Sequence, residues 1–577
     1  MCSRFFFFFL FCFASSGYSQ GFLKADGKII VDGNGQKYIL RGMGLGGWML
    51  QEGYMFHVSN LGRQYIIKSK IEELVGTEKT NLFYQQWLAG HTTKADIDSL
   101  AAWGFNSIRL PMHYNLFTLP VDQEPVKGGE TWIGKGFTMV DSLLKWCGHN
   151  KMYLILDLHA TPGGQGNDLP ISDRDPAKPS LWESEANQQK MVALWHELAW
   201  RYANEPWIGG YDIINEPNWG FDDPKDIRGT KEQLNEPLKK LMVRITNAIR
   251  EVDTHHIIII EGNGFGNNYN GLLPTWDNNM VLSFHKYGNF NQPSAIAHFL
   301  ELREKYNVPL WMGESGENSN TWFTEAINLV ETHDIGWAWW QSKKMGINNP
   351  LEVKEPEGYH LLTDYWMGKG PKPSEAEAWA ILQQWLANMQ IRNNIVHPDV
   401  MDAMFRQVYS TDTKPFKQHI AGKGSTLINA VDYDMGRQGY AYYDKDTASY
   451  QYTPGVKTVG NRGHAYRNDG VDIEGSKAGY YVFSIEDGEW MQYTVNVQET
   501  GEYSIAFKTA SDNAEGKLSL LADNAILVKE LPVPDSKGLT NWQSVEVKHI
   551  HLSKGIHKLR VYADKGGFNL LSFSISK

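Results

Sequence analysis

Cysteine is almost absent, with only Cys2, Cys12 and Cys147 in 577 residues. The first two fall in a leader-like N-terminus. Cys147 is then left alone, which excludes an intramolecular disulfide and any cysteine-based metal site. Basic clusters are missing too. Lys and Arg total 55 against 66 acidic residues, a net charge of −11, and no dense basic run tracks a phosphate backbone, so nucleic acid is not an expected partner. Nor does any apolar run reach the length of a membrane span. The concentrated one, in "MCSRFFFFFLFCFASSGYSQ" (1–20), has one Arg before about ten apolar residues and small and polar residues after them. That is the layout of a secretory signal peptide and too short for a spanning helix. Cleavage is expected near Gln20, with the product extracellular or periplasmic and cell-surface association left open. A lipid anchor on Cys12 is the rival reading, against which bulky Phe11 stands where a small residue is wanted.

Aromatic residues are plentiful: 21 Trp, 27 Tyr and 25 Phe exceed what a core requires, and flat rings suit the apolar faces of pyranose sugars. The length allows one large core and a smaller second one. Eight short apolar runs alternate with helical periodicity: "YILRGMGL" (38–45), "SIRLPM" (107–112), "MYLILDLH" (152–159), "YDIINEP" (211–217), "HIIIIEGN" (256–263), "MVLSFHKY" (280–287), "PLWMGES" (309–315) and "IGWAWWQ" (335–341). Most are apolar throughout, as strands covered on both faces are. Repeated strand-helix units of this kind predict an α/β fold, a (β/α)8 TIM barrel over 21–395. A polar, broken stretch at 396–427 reads as a linker region. From 428 to 577 short alternating strands with Gly, Asn and Asp turns predict a small all-β jelly-roll sandwich.

In such a barrel the chemistry gathers at the C-terminal ends of the strands. The runs there offer Arg109, His159, Asn215 with Glu216, His285 with Tyr287, Glu314 and Trp340. Each has a bland structural reading alone, but two carboxylates on opposite strands with these partners exceed what packing asks for. Glu261 lacks the Asn that precedes Glu216, and Asp157, Asp212 and Asp277 read as turn or strand-end residues. Trp219 divides evenly between substrate platform and loop packing.

"DIINEPN", "LDLHATPG", "SFHKYG", "GESGENS" and "GWAWWQ", in this order over about residues 25–390, resemble glycoside hydrolase family 5, of the larger clan of (β/α)8 retaining glycosidases. The resemblance implies Glu216 as general acid/base and Glu314 as nucleophile, with Arg109 and Tyr287 bonded to Glu314. Asn215 would then address the sugar 2-hydroxyl, His159 and His285 would bond substrate or the acid/base, and Trp340 would stack on the sugar. No metal or organic cofactor is implied. The segment "LRGMGLGGWMLQEGYM" and the loop "HATPGGQGNDLPISD" resemble the β-glucan-hydrolysing branch, so the expected partner is β-glucan, linked β-1,3 and/or β-1,4. A mannan- or oligosaccharide-directed hydrolase is the alternative, and a non-catalytic carbohydrate-binding surface protein is the reading from another class. A monomer is expected.

The C-terminal segment, especially "GYYVFSIEDGEWMQYTVNVQETGEYSIAFKTAS" and "GGFNLLSFSISK", resembles carbohydrate-binding module family 6. Asn569 matches that family's sugar-bonding Asn, and Tyr480 or Tyr481 supplies one aromatic face. Leu539 stands where the usual stacking Trp is found. "RNDGVDIE" (467–474) implies polar contacts or a structural calcium. As an appended targeting domain, the module's removal is expected to weaken action on insoluble glucan far more than on soluble oligomers.

Overall fold

The computed structural model describes residues 21–223 and 225–577, so the leader expected at 1–20 lies outside the described residues. Eight parallel strands close into a barrel: β1 (Arg41–Gly44), β2 (Ser107–His113), β3 (Tyr153–Ala160), β4 (Ile208–Asp212), β5 (Ile257–Glu261), β6 (Met280–Lys286), β7 (Leu310–Gly316) and β8 (Gly336–Trp340).

Side chains alternate along each strand between the helical jacket and the barrel lumen. Leu154, Leu156, Ile258, Ile260, Leu282 and Met312 pack outward in the large core shared with the helices. Their neighbours Tyr153, Ile155, Ile257, Ile259, Val281 and Trp311 fill the lumen floor with Leu23 and Ile30 of the N-terminal hairpin, which plugs the bottom. One layer higher the same parity brings Arg109, Asp157, Asp212, Glu261 and His285 inward, so an apolar floor carries an ionic layer.

The fourth strand departs from the expected 211–217 and spans Ile208–Asp212. Gly209 and Gly210 resemble turn residues in sequence, but they are strand residues required by close packing. A Cβ on Gly209 would lie 2.7 Å from Ile155 Cδ1, and one on Gly210 would lie 3.1 Å from the Ile257 carbonyl oxygen. Ile213 to Glu216 therefore run on past the ladder toward the barrel mouth.

Residues 419–577 form two six-stranded sheets, face to face around a core that includes Tyr493, Ile505, Phe507, Leu559 and Phe573. The linker region expected at 396–427 holds packed elements. Helix Pro398–Met404 packs against helix Asn320–Glu331 of the barrel jacket, and His419–Ala421 and Ser425–Asn429 are already strands of the sandwich, paired with Trp490–Val497 and Asn569–Ser576. Among the described residues no helix is long and apolar enough to cross a membrane. Cys147 is free and buried, and burial raises its thiol pKa well above the usual value.

Candidate active site

Arg109 is the hub of the ionic layer, only 1% exposed. It donates to Glu314 Oε2 at 2.8 Å, Asn215 Oδ1 at 2.8 Å, Asp212 Oδ2 at 3.0 Å and Glu261 Oε1 at 3.1 Å, with Asp157 Oδ2 at 3.3 Å. A planar guanidinium suits this because its fixed fork serves several carboxylates at once. Tyr287 O–H donates to the other Glu314 oxygen at 2.8 Å, so both oxygens of that carboxylate are held. Arg109 bonds Glu314, as the resemblance implies, and Asn215 with it, but it is not among the residues lining the cavity, where a substrate contact would place it.

Glu216 has a left-handed backbone, φ +41°, uncommon for a residue with a side chain and a conformation that clusters at functional sites. Its N–H donates to Glu261 Oε2 at 2.7 Å. Glu216 Oε1 lies 2.6 Å from His285 Nδ1, and His285 Nε2 lies 3.1 Å from Glu261 Oε1. Burial alone disfavours charge on His285, but Glu261, Glu314 and Glu216 outweigh it and raise the imidazole pKa well above its usual value. Burial likewise favours a neutral Glu261, but His285 and Arg109 hold its carboxyl below the ordinary range. Asp212 goes the other way, raised by burial with Glu261 adding to it.

Ligating atoms of Glu216, His285 and Glu314 all lie within 4.8 Å of one another. A divalent ion accepts such a spacing, and so does proton transfer between His285 and Glu216, 2.6 Å apart.

Above it opens a cavity of about 520 Å³, lined by Glu216, Glu314, His159, His285, Tyr287 and Trp340 among others. The His159 and Trp340 rings stack at 5.1 Å and 3°, and Trp340 Nε1 donates to Tyr54 O–H at 2.7 Å. His159 Nδ1 is 2.8 Å from Asp157 Oδ2, and its Nε2 is 3.3 Å from Asn215 Nδ2. Asp168 and Ile171, from the loop after β3, line the cavity as well. Trp219 is not among the lining residues. It lies under Arg174, 4.8 Å from guanidinium to ring centre, with its N–H bonded to Asn263.

The family model Cellulase (glycosyl hydrolase family 5) matches residues 69–346, and Carbohydrate binding module (family 6) matches 464–577. The barrel is a glycosyl hydrolase family 5 domain. The chain is thus a glycoside hydrolase that carries a family 6 module. It is similar to a β-xylosidase of Phanerodontia chrysosporium, 28% identical over 387 residues, 61% of this chain and 76% of that protein. It is also similar to endoglucanase C of Acetivibrio thermocellus, 26% identical over 332 residues, 47% of this chain and 89% of that protein. Among solved structures, the C-terminal family 6 module of LamC from Zobellia galactanivorans is 24% identical, covering 26% of this chain and 99% of its own, at a TM-score of 0.20.

Sequence reasoning missed several members of the family 5 site. Glu52 and Tyr54, in the segment after β1, line the cavity. Burial, then Glu314, Glu317 and Glu216, raise the Glu52 pKa well above its ordinary value. Asp157 and Asp212, expected in turn or strand-end roles, anchor Arg109 together with Glu261, weighed only as a rival to Glu216, whereas Asp277 accepts from Arg250 at 2.8 Å. Their one readable signal was inward parity with His159 and Ile259.

In the family 6 module, Tyr480 and Tyr481 fall on opposite faces of their strand. Tyr480 is exposed against Tyr466, with ring centres 4.9 Å apart. Tyr481 is buried edge-on to Trp542 at 5.2 Å and donates to Glu474 at 2.6 Å. Pairing of Val482 with Leu570 puts Tyr481 and Asn569 on one face, where Asn569 Nδ2 donates to the Leu539 carbonyl at 2.7 Å. The stretch 467–474, expected to give polar contacts or hold calcium, makes polar contacts. Arg467 pairs with Asp469 at 2.6 Å, Arg462 pairs with Asp472, and Asn468 donates to the barrel's Asn318 carbonyl at 2.8 Å.

Proposed function

We propose that this chain is a secreted, retaining β-glycosidase that hydrolyses β-glucan by double displacement, with Glu314 as nucleophile and Glu216 as acid/base. The supporting observation is the spacing of the two carboxylates, with oxygens within 4.8 Å of each other. Retaining enzymes keep theirs about 5–5.5 Å apart, whereas inverting ones leave room for a water at about 6.5–9.5 Å. Glu314, held at one oxygen by Arg109 and at the other by Tyr287, attacks the anomeric carbon. Glu216 gives its proton to the leaving oxygen. His285 Nδ1, at 2.6 Å, replaces it from the imidazolium and takes it back as water enters. Asn215, fixed through Arg109, faces the sugar 2-hydroxyl, and Trp340 backs the sugar ring. The leader expected at 1–20 and the family 6 module support action on polysaccharide outside the cytoplasm.

A second substrate reading is favoured by one observation: a relative matched over 61% of this chain is a β-xylosidase. Product analysis on laminarin, lichenan, carboxymethyl cellulose, mannan and xylan separates the two, and proton NMR of the first product gives the stereochemistry. Glucose or short gluco-oligomers released as β-anomers are expected. Release of α-anomers overturns the retaining mechanism, and turnover of xylan or mannan alone overturns the glucan assignment.

A further inference from the structure

The cavity over Glu216 and Glu314 is lined by two residues that are not part of the barrel: Gln451 and Tyr452, from a loop of the C-terminal module. We propose that Tyr452 is a substrate platform of the active site, so that the module builds one wall of the cleft and stacks a pyranose adjoining the scissile bond. This rests on the barrel site acting on a glycan chain, as proposed above.

Three observations carry it. The loop is seated in the barrel. Ala448 belongs to the barrel's own buried core, Ser449 exchanges two hydrogen bonds with Asn318 at 2.7 and 3.0 Å, Ser319 Oγ donates to the Thr447 carbonyl at 2.6 Å, and Tyr450 packs on Phe290 at 4.6 Å. Asn318 and Ser319 belong to the loop that follows the proposed nucleophile.

The barrel is shaped to receive the ring. Tyr452 N–H donates to the Gly288 carbonyl at 2.8 Å, directly after Tyr287, which bonds Glu314. Gly288 has φ +47°, and a Cβ there would lie 2.9 Å from Tyr452 Cδ2 and 3.0 Å from Gln451 Cγ. Only glycine fits both the backbone and the approach.

The ring is left open. Tyr452 is 66% exposed although its backbone is fixed on both sides. An aromatic held at the root and free at the face presents an apolar plane to a sugar without an ordering cost at binding. Tyr452 lines the same cavity as Glu216, Glu314, Glu317 and Asp168, which places it over the site rather than at a distant rim.

The test uses the full chain with Tyr452→Ala and Tyr452→Phe, assayed on oligosaccharides of whichever panel glycan the wild type cleaves fastest, and on the matching glycosyl fluoride, whose leaving group cannot reach the ring. A non-glucan preference corrects the proposed specificity without touching the comparison of variants. Tyr452→Ala is expected to lower kcat/KM on oligosaccharides about tenfold, the scale of one lost aromatic contact. It should leave the fluoride within about twofold, and Tyr452→Phe should keep near wild-type activity on both. Unchanged oligosaccharide turnover in Tyr452→Ala overturns the proposal, and so does an equal loss on the fluoride, which marks a structural role.

Discussion

Replacing His285 with Gln tests the charge assignment at the centre of the site. The imidazolium sits between Glu216 at 2.6 Å and Glu261 at 3.1 Å, wholly buried. Removing one partner of a buried ion pair costs about 3–5 kcal/mol because the other charges stay behind unpaired. At about 2.1 cal/mol/K of unfolding entropy per residue, a cooperative unit of roughly 370 residues then loses ~4–6 °C in Tm. The pH dependence is the sharper readout. The folded pKa of His285 is raised, so its stabilisation is complete below the unfolded value of about 6.5 and is lost as pH climbs toward the folded one. Thermal melts of wild type and His285→Gln should differ most near pH 6. The gap should then close above it, by up to about 1.4 kcal/mol per pH unit. A gap that stays constant from pH 6 to 10, or widens, refutes a protonated His285 and the proton reservoir with it.

Glu314→Gln should abolish turnover and leave polysaccharide binding largely intact by calorimetry; substantial activity in correctly folded protein removes the nucleophile assignment. Glu216→Ala should lose at least about a hundredfold on oligosaccharides, the scale of general acid catalysis. It should lose far less on an aryl glycoside with a good leaving group, and added azide should restore turnover as a glycosyl azide of retained configuration. Cutting the chain after residue 427 should now impair soluble and insoluble substrates alike, because it splits strand Ser425–Asn429 and strips the seat of the Asn318 loop. Full activity on soluble oligomers would restore the purely targeting role that the sequence suggested.

Seven of the eight barrel strands were legible to within a few residues, because a strand buried on both faces leaves an unbroken apolar run. The fourth was misplaced where two glycines serve close packing and not a turn. Both carboxylates and most of their partners were legible as polar residues closing those runs. What escaped depends on distance across the barrel. Nothing local to Asp157, Asp212 or Glu261 shows that they share one guanidinium, and nothing in "MLQEGYM" shows that Glu52 and Tyr54 face the cavity. The linker misreading has the same root. Strands of three and five residues, His419–Ala421 and Ser425–Asn429, are too short for periodicity to reveal, and only their pairing partners beyond residue 490 define them.

The clasp between Asn318 and Asn468 also sets an order of events during synthesis. The two residues are 150 positions apart, which a ribosome covers in ~8–30 s at about 5–20 residues per second. Once Trp340 has completed the barrel strands, the loop after Glu314 still waits for the Thr447, Ser449 and Asn468 contacts that seat the proposed cleft wall. The enzyme is therefore expected to gain its full activity last, when the final domain docks, long after Glu216 and Glu314 have left the ribosome.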